Sequence, residues 1–171
     1  MSSAAPDPLR AHAGWTAPVS ALLLAAWLGA ALYFTVVVTR AAFAVLPTRT
    51  LAGAFVGQTL PVLFDSGMLV GAVLVAAALL SPPCAARTAS FAGGITIAAL
   101  TAVARFVILA RIARLRLSMP AAIDSLPIDD PSRRAFGQLH ALSVGALGLA
   151  MLAGIVVAVV LAHSLTVAAN E

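Results

Sequence analysis

Leu139 to Ala162 reads LHALSVGALGLAMLAGIVVAVVLA, a run without lysine, arginine or carboxylate. As a helix rising 1.5 Å per residue it extends about 36 Å, enough to cross roughly 30 Å of bilayer hydrocarbon. Asp130-Pro131-Ser132-Arg133-Arg134 precedes it, with Pro131 suited to a first helical turn, and His163 follows. Three other windows share its character. Val19–Val38 lies between Trp15 and Arg40, residues 60–80 carry Asp65 and stop at Ser81-Pro82-Pro83, and residues 91–110 contain Arg105. The expected fold is therefore all-α: an integral membrane bundle of four transmembrane helices, with a tail over 1–18 and another over 164–171.

The composition agrees with this reading. Of 171 residues, 62% are apolar and 9% charged, where a soluble domain carries about a quarter charged residues. Such a chain cannot hide its apolar surface as a water-soluble globule, and no solvated basic face is left for nucleic acid. All ten basic residues are arginine and the acids are five Asp plus Glu171, a balance that suggests GC-rich bacterial coding. The single Cys84 allows neither an internal disulfide nor a multi-cysteine metal site. The apolar run of the first window is longer than the 7–15 residues of a secretory h-region, which favours an uncleaved span.

Arginines set the orientation. Loops one and three hold Arg40, Arg49, Arg111, Arg114, Arg116, Arg133 and Arg134, against Arg10 and Arg87 on the other side. The positive-inside rule then places those loops in the cytoplasm and both termini outside, in a bacterial inner membrane. The collar of Arg111, Arg114, Arg116, Arg133 and Arg134 is accounted for by topology and by anionic phospholipid headgroups. Residues 41–59, interrupted by Pro47, are expected to lie along the interface as a short helix after the first span. Residues 119–130 read as an ordered turn, and no internal repeat stands out.

In lipid, small residues mark the faces where helices approach closely. Candidate rows are Ala21, Ala25 and Gly29; Gly67 and Gly71; Gly94, Ala98 and Ala102; and Ala146, Ala150, Gly154 and Ala158. The same topology puts Asp65 and Arg105 each about five residues below the cytoplasmic surface, roughly 8 Å deep, as an expected intramembrane ion pair. Tyr33 with Thr35, and His140 with Ser143, fall at that level too. One reading of this layer is a cytoplasm-facing pocket formed by Tyr33, Asp65, Arg105, His140 and Ser143. The plainer reading is that the ion pair fixes helix register while His140 faces headgroups.

His140 and His163 lie 23 residues apart on one helix, about 34 Å, and cannot share a metal or haem. No Gly-rich phosphate loop, Ser-His-Asp spacing or zinc motif is present, so neither catalytic nor metal-ligating residues are assigned.

The stretch Trp27-Leu28-Gly29 through Ala42-Phe43 and Leu46-Pro47, then Ala52-Gly53, Arg114-Leu115-Arg116 and the run Phe136-x-x-Leu139-His140-x-x-Ser143 resembles a bacterial family called domain of unknown function 4149. The resemblance extends from about residue 20 to 162. That family is similar to the eukaryotic transmembrane protein 205 and more distantly to copper-resistance proteins of the CopD type and haem-associated proteins of the HemJ type. The resemblance implies a four-helix membrane domain. The expected role is non-enzymatic: a bundle that binds or helps move a small solute, or supports a partner, with no cofactor. The alternative is a haem- or copper-dependent oxidoreductase using His140. The expected partner is the lipid bilayer, and a homo-oligomer or a membrane-complex partner is compatible with this reading.

Overall fold

Four apolar runs separated by proline-bearing breaks can satisfy their backbone groups in lipid only as helices. A computed structural model describes residues 8–119 and 123–169, the side chains of 8–15, 124, 168 and 169 excepted. Residues 1–7, 120–122 and 170–171, Glu171 among them, lie outside the described residues. The helices are α1 (Pro8–Tyr33), α2 (Thr39–Val45), α3 (Arg49–Leu80), α4 (Ala85–Ala102), α5 (Leu109–Ser118) and α6 (Pro131–Ala169). Two π turns, Phe34–Val38 and Val103–Ile108, join α1 to α2 and α4 to α5 without a break. The result is four apolar spans, Thr16–Val45, Arg49–Leu80, Ala85–Ser118 and Pro131–Val167. This is a multi-pass membrane protein.

Each span outruns its apolar window on the arginine-rich side. The stretch 41–59, expected as a short interfacial helix, divides at Leu46–Thr48. Its first part, α2, continues the first span, and its second part opens α3, which runs through Pro61. The division follows from capping: Thr48 is extended and its side chain accepts a hydrogen bond from the Leu51 amide at 3.2 Å, so a new helix starts there. At the other helix starts, the Cys84 thiol accepts from the Arg87 amide. The Asp130 Oδ1 accepts from the Ser132 amide at 2.7 Å, with Pro131 as the first helical residue.

α1 packs against α3 and α6, and α4 against the same two, closing an up-and-down ring. Buried positions on the first span are Ser20, Leu24, Trp27, Ala31, Phe34 and Ala42, and on the third Ser90, Gly94, Ile97, Thr101, Ala104, Ile108 and Ile112. These two series are in one register, alternating four- and three-residue steps, as in a coiled-coil seam. From Ala104 the steps become four and four, and Phe34 to Ala42 covers the same eight residues. The cause is the wider π turn, which closes by i→i−5 hydrogen bonds from Thr39 to Phe34 and from Leu109 to Ala104. An extra residue is needed to return the seam to the same face.

Close approach occurs at glycines. A Cβ on Gly71 would stand 2.6 Å from the Gly94 carbonyl, and one on Gly67 would meet Thr101 at 2.7 Å and Trp27 at 3.0 Å. Gly93, absent from the expected rows, would meet the Val157 side chain. The row Ala21, Ala25, Gly29 is not a contact face at its glycine end, since a Cβ on Gly29 would meet nothing within 4 Å. The reason is register: the seam of α1 follows Leu24, Trp27 and Ala31, which turns Gly29 outward.

The Trp27 indole, 4% exposed, donates Nε1–H to the Leu63 carbonyl at 3.3 Å. Trp27→Phe is expected to lower stability by about 1 kcal/mol, combining the lost bond with lost contact area. A guanidinium melt in detergent followed by circular dichroism checks this.

Candidate functional site

At the arginine-rich end of the bundle the spans border a half-open cavity of ≈ 950 Å³ with walls from all four. Thr39 and Phe43 contribute from the first span, and Arg49, Thr50, Gly53, Gly57 and Leu60 from the second. The third gives Arg105, Phe106, Leu109, Ile112 and Arg116, and the fourth Phe136, His140 and Ser143. The volume sits near the top of the ~300–1,000 Å³ typical of ligand pockets.

At the deep end, Arg105 Nε donates to Asp65 Oδ1 at 2.9 Å. This is the ion pair that equal depth on two neighbouring helices anticipates. Arg105 lies within the second π turn and its guanidinium is over the Phe106 ring, 5.5 Å from the centroid. The two side chains are 34% and 48% exposed, so the pair is not sealed in the core. Only Arg105 of the two lines the cavity.

Nearer the opening, Arg116 extends along α3, where Cβ atoms on Gly53 and Gly57 would lie 3.6 and 3.5 Å from its terminal nitrogens. Its guanidinium carbon is 5.3 Å from the Phe136 ring centroid. Phe136 in turn stacks on His140, with centroids 6.2 Å apart and rings 7° from parallel. Ser143, almost fully buried, donates to the His140 carbonyl at 2.8 Å.

The expected polar layer is thus assembled in part. Asp65, Arg105, His140 and Ser143 gather at one end of the bundle. Tyr33 does not join them: it is 61% exposed and outside the cavity lining. With the seam at Ala31 and Phe34, residue 33 points to the outer face, and Thr39, six residues further on, supplies the first span's hydroxyl. Of the arginine collar, Arg116 lines the cavity and Arg133 donates from Nη1 to the Leu126 carbonyl at 2.8 Å, bracing the turn around Ile123–Ser125. Arg111, Arg114 and Arg134 are exposed outside the lining. Arg49, Phe43, Phe106 and Phe136 were not singled out as site residues from sequence. The Gly53-x-x-x-Gly57 spacing was a signal, not used, for the close seating of Arg116 on α3; the sequence holds none for the others.

Among the described residues no three His, Cys, Asp or Glu side chains come together. Cys84 is exposed, beyond the opposite end of α3 from Arg49.

A family model described as a domain of unknown function (DUF4149) matches residues 22–121, more than half of the chain. The chain belongs to the DUF4149 family. The DUF4149 match takes in the first three spans with Gly53, Gly57, Asp65, Arg105 and Arg116. It ends before Phe136, His140 and Ser143, so the resemblance expected as far as residue 162 is established only to residue 121. No curated protein and no solved structure matches the chain.

Proposed function

We propose that this DUF4149 protein is a non-enzymatic binder of a small amphipathic anion, held in a bacterial inner membrane with the arginine-rich end in the cytoplasm. The observation that carries this reading is the charge of the cavity wall. Arg49, Arg105 and Arg116 face it, and among the described residues no carboxylate lines it. The rest of the wall is aliphatic, aromatic or hydroxyl-bearing. With Arg105 balanced by Asp65, Arg49 and Arg116 leave two uncompensated positive charges, which attract an anion more strongly beside low-dielectric walls than in bulk solvent. The apolar wall rewards a ligand with a hydrocarbon portion. The outward arginines, Arg111, Arg114 and Arg134, remain available to anionic headgroups.

The residues do not fit a copper site. A copper ion would meet one imidazole, His140, and one thioether, Met119, among guanidinium cations, fewer nitrogen and sulfur donors than it needs. A haem reading rests on His140 alone. Protein purified in a mild detergent is expected to show no visible absorbance and no stoichiometric iron or copper. A Soret band or bound metal at one equivalent would replace the anion reading with a redox one.

The binding test uses protein in phosphatidylcholine nanodiscs with a fluorescent fatty acid as probe. Saturable binding that weakens as salt is raised is the expected result. Binding insensitive to salt, or none, would remove the proposal.

A further inference from the structure

Among the described residues two guanidinium groups of the cavity, Arg49 and Arg116, have no carboxylate partner, and of the two Arg116 is the one seated on an aromatic ring. Arg105 is held by Asp65, whereas among the described residues no acid pairs with Arg116. One face of the Arg116 guanidinium is covered by the Phe136 ring, and the bare backbone at Gly53 and Gly57 lets it lie close along α3. Arg116 is nonetheless exposed, and the in-plane N–H edge of a guanidinium matches two oxygens of a carboxylate or phosphate.

Between Arg116 and Arg105 the second and third spans give an apolar wall of Ile112, Leu109, Leu60 and Val56, while Thr39, His140 and Ser143 are polar groups contributed by the other two spans. Arg105 lies eleven residues back along the same span, about 16 Å by helical rise. The cavity is therefore long, cationic where Arg49 and Arg116 line it and charge-balanced where Arg105 does. A compact ion such as inorganic phosphate would leave most of ≈ 950 Å³ unfilled.

We propose that the cavity holds a single-chain anionic amphiphile, a carboxylate or phosphate monoester on one acyl or alkyl chain. Its head lies on Arg116 and its chain runs inward toward Arg105. This deepens the anion-binding reading and rests on it.

The test is displacement of a fluorescent fatty acid from the protein in phosphatidylcholine nanodiscs. Dodecanoate and dodecyl phosphate are expected to displace it, dodecanol to do so about tenfold more weakly, and inorganic phosphate not at all. Either order of the two anions supports the proposal and names the source, a fatty acid or a phosphate ester. Arg116→Gln is expected to weaken both anions about tenfold and leave dodecanol unchanged. Arg116→Lys keeps the charge but loses the paired edge, gives an intermediate loss, and serves if the glutamine variant does not fold. Unchanged anion affinity in both variants, or dodecanol binding as well as dodecanoate, overturns the proposal. Phosphatidylglycerol in the discs competing as well as dodecanoate overturns the single chain. A loss seen with Arg105→Gln in an Asp65→Asn background, but not with Arg116→Gln, overturns the head assignment and leaves the anion reading standing. Displacement by no anion removes both.

Discussion

Removing one partner of the Asp65–Arg105 pair is expected to lower stability by about 1–3 kcal/mol, and removing both charges to recover a good part of that loss. An unpaired charge at mid-span costs about 2.5–3.5 kcal/mol on insertion scales, less where it can reach headgroups or water. Both side chains are partly exposed and Arg105 borders the cavity, which puts the expected cost in the lower part of that range. Arg105 has a long stem that can carry its charge toward the arginine-rich end, whereas Asp65 has none. Arg105→Ala should therefore cost more than Asp65→Ala. The double change Asp65→Asn with Arg105→Gln leaves two neutral amides and no stranded charge. Apparent melting temperature and monodisperse yield in detergent, for Asp65→Asn, Arg105→Gln and the variant that combines them, form a cycle that isolates the coupling. Purely additive losses would show that the two side chains act independently, contrary to the 2.9 Å contact.

The other large effect belongs to Gly71. A methyl group there would sit 2.6 Å from the Gly94 carbonyl and 2.9 Å from both the amide nitrogen and the Cβ of Ala98. Two of these neighbours are backbone atoms, which cannot rotate aside, so α3 and α4 would have to separate. Overpacking of this kind costs about 1–3 kcal/mol, and more where relief needs whole helices to move. Gly71→Ala should fall at the upper end, and Gly71→Leu should yield little monodisperse protein. Gly93→Ala also clashes, but with the end of Val157, a side chain stiff at χ1 yet less fixed than a backbone, so a smaller loss is expected. Gly29→Ala is the control: its Cβ meets nothing, and helix propensity alone predicts a gain of up to about 1 kcal/mol. Equal melting temperatures for Gly71→Ala and Gly29→Ala would show that the α3–α4 contact is looser than the structure has it.

Several features of the site were readable before the structure. Asp65 and Arg105 stand out because charges inside apolar windows are rare, and two antiparallel helices of known boundary fix their depths by arithmetic. The contacts at Gly67, Gly71, Gly94 and Gly154 follow from glycine in a span having few reasons other than close approach. Tyr33 was misplaced because depth along a helix says nothing about which face a residue takes. In a chain this apolar, hydrophobic periodicity does not single out a face either. Residues 41–59 were misassigned because apolar content marks where lipid ends, not where a helix ends; the helices continue beyond the bilayer window for capping and packing reasons.

What the sequence by itself determined is the set of four apolar spans, the acid and the guanidinium at one depth, and the arginine-rich end. All of these depend on transfer energy summed along the chain, which is additive over local residues. Only the tertiary structure decided the two π turns, the outward turn of Gly29 and Tyr33, and the cavity in which Arg116 meets Gly53, Gly57 and Phe136. Those depend on how four nearly uniform apolar cylinders rotate against one another. That rotation is set by steric fit between distant segments, here the contacts of Gly71 with Gly94 and of Trp27 with Gly67, and no local sum contains it.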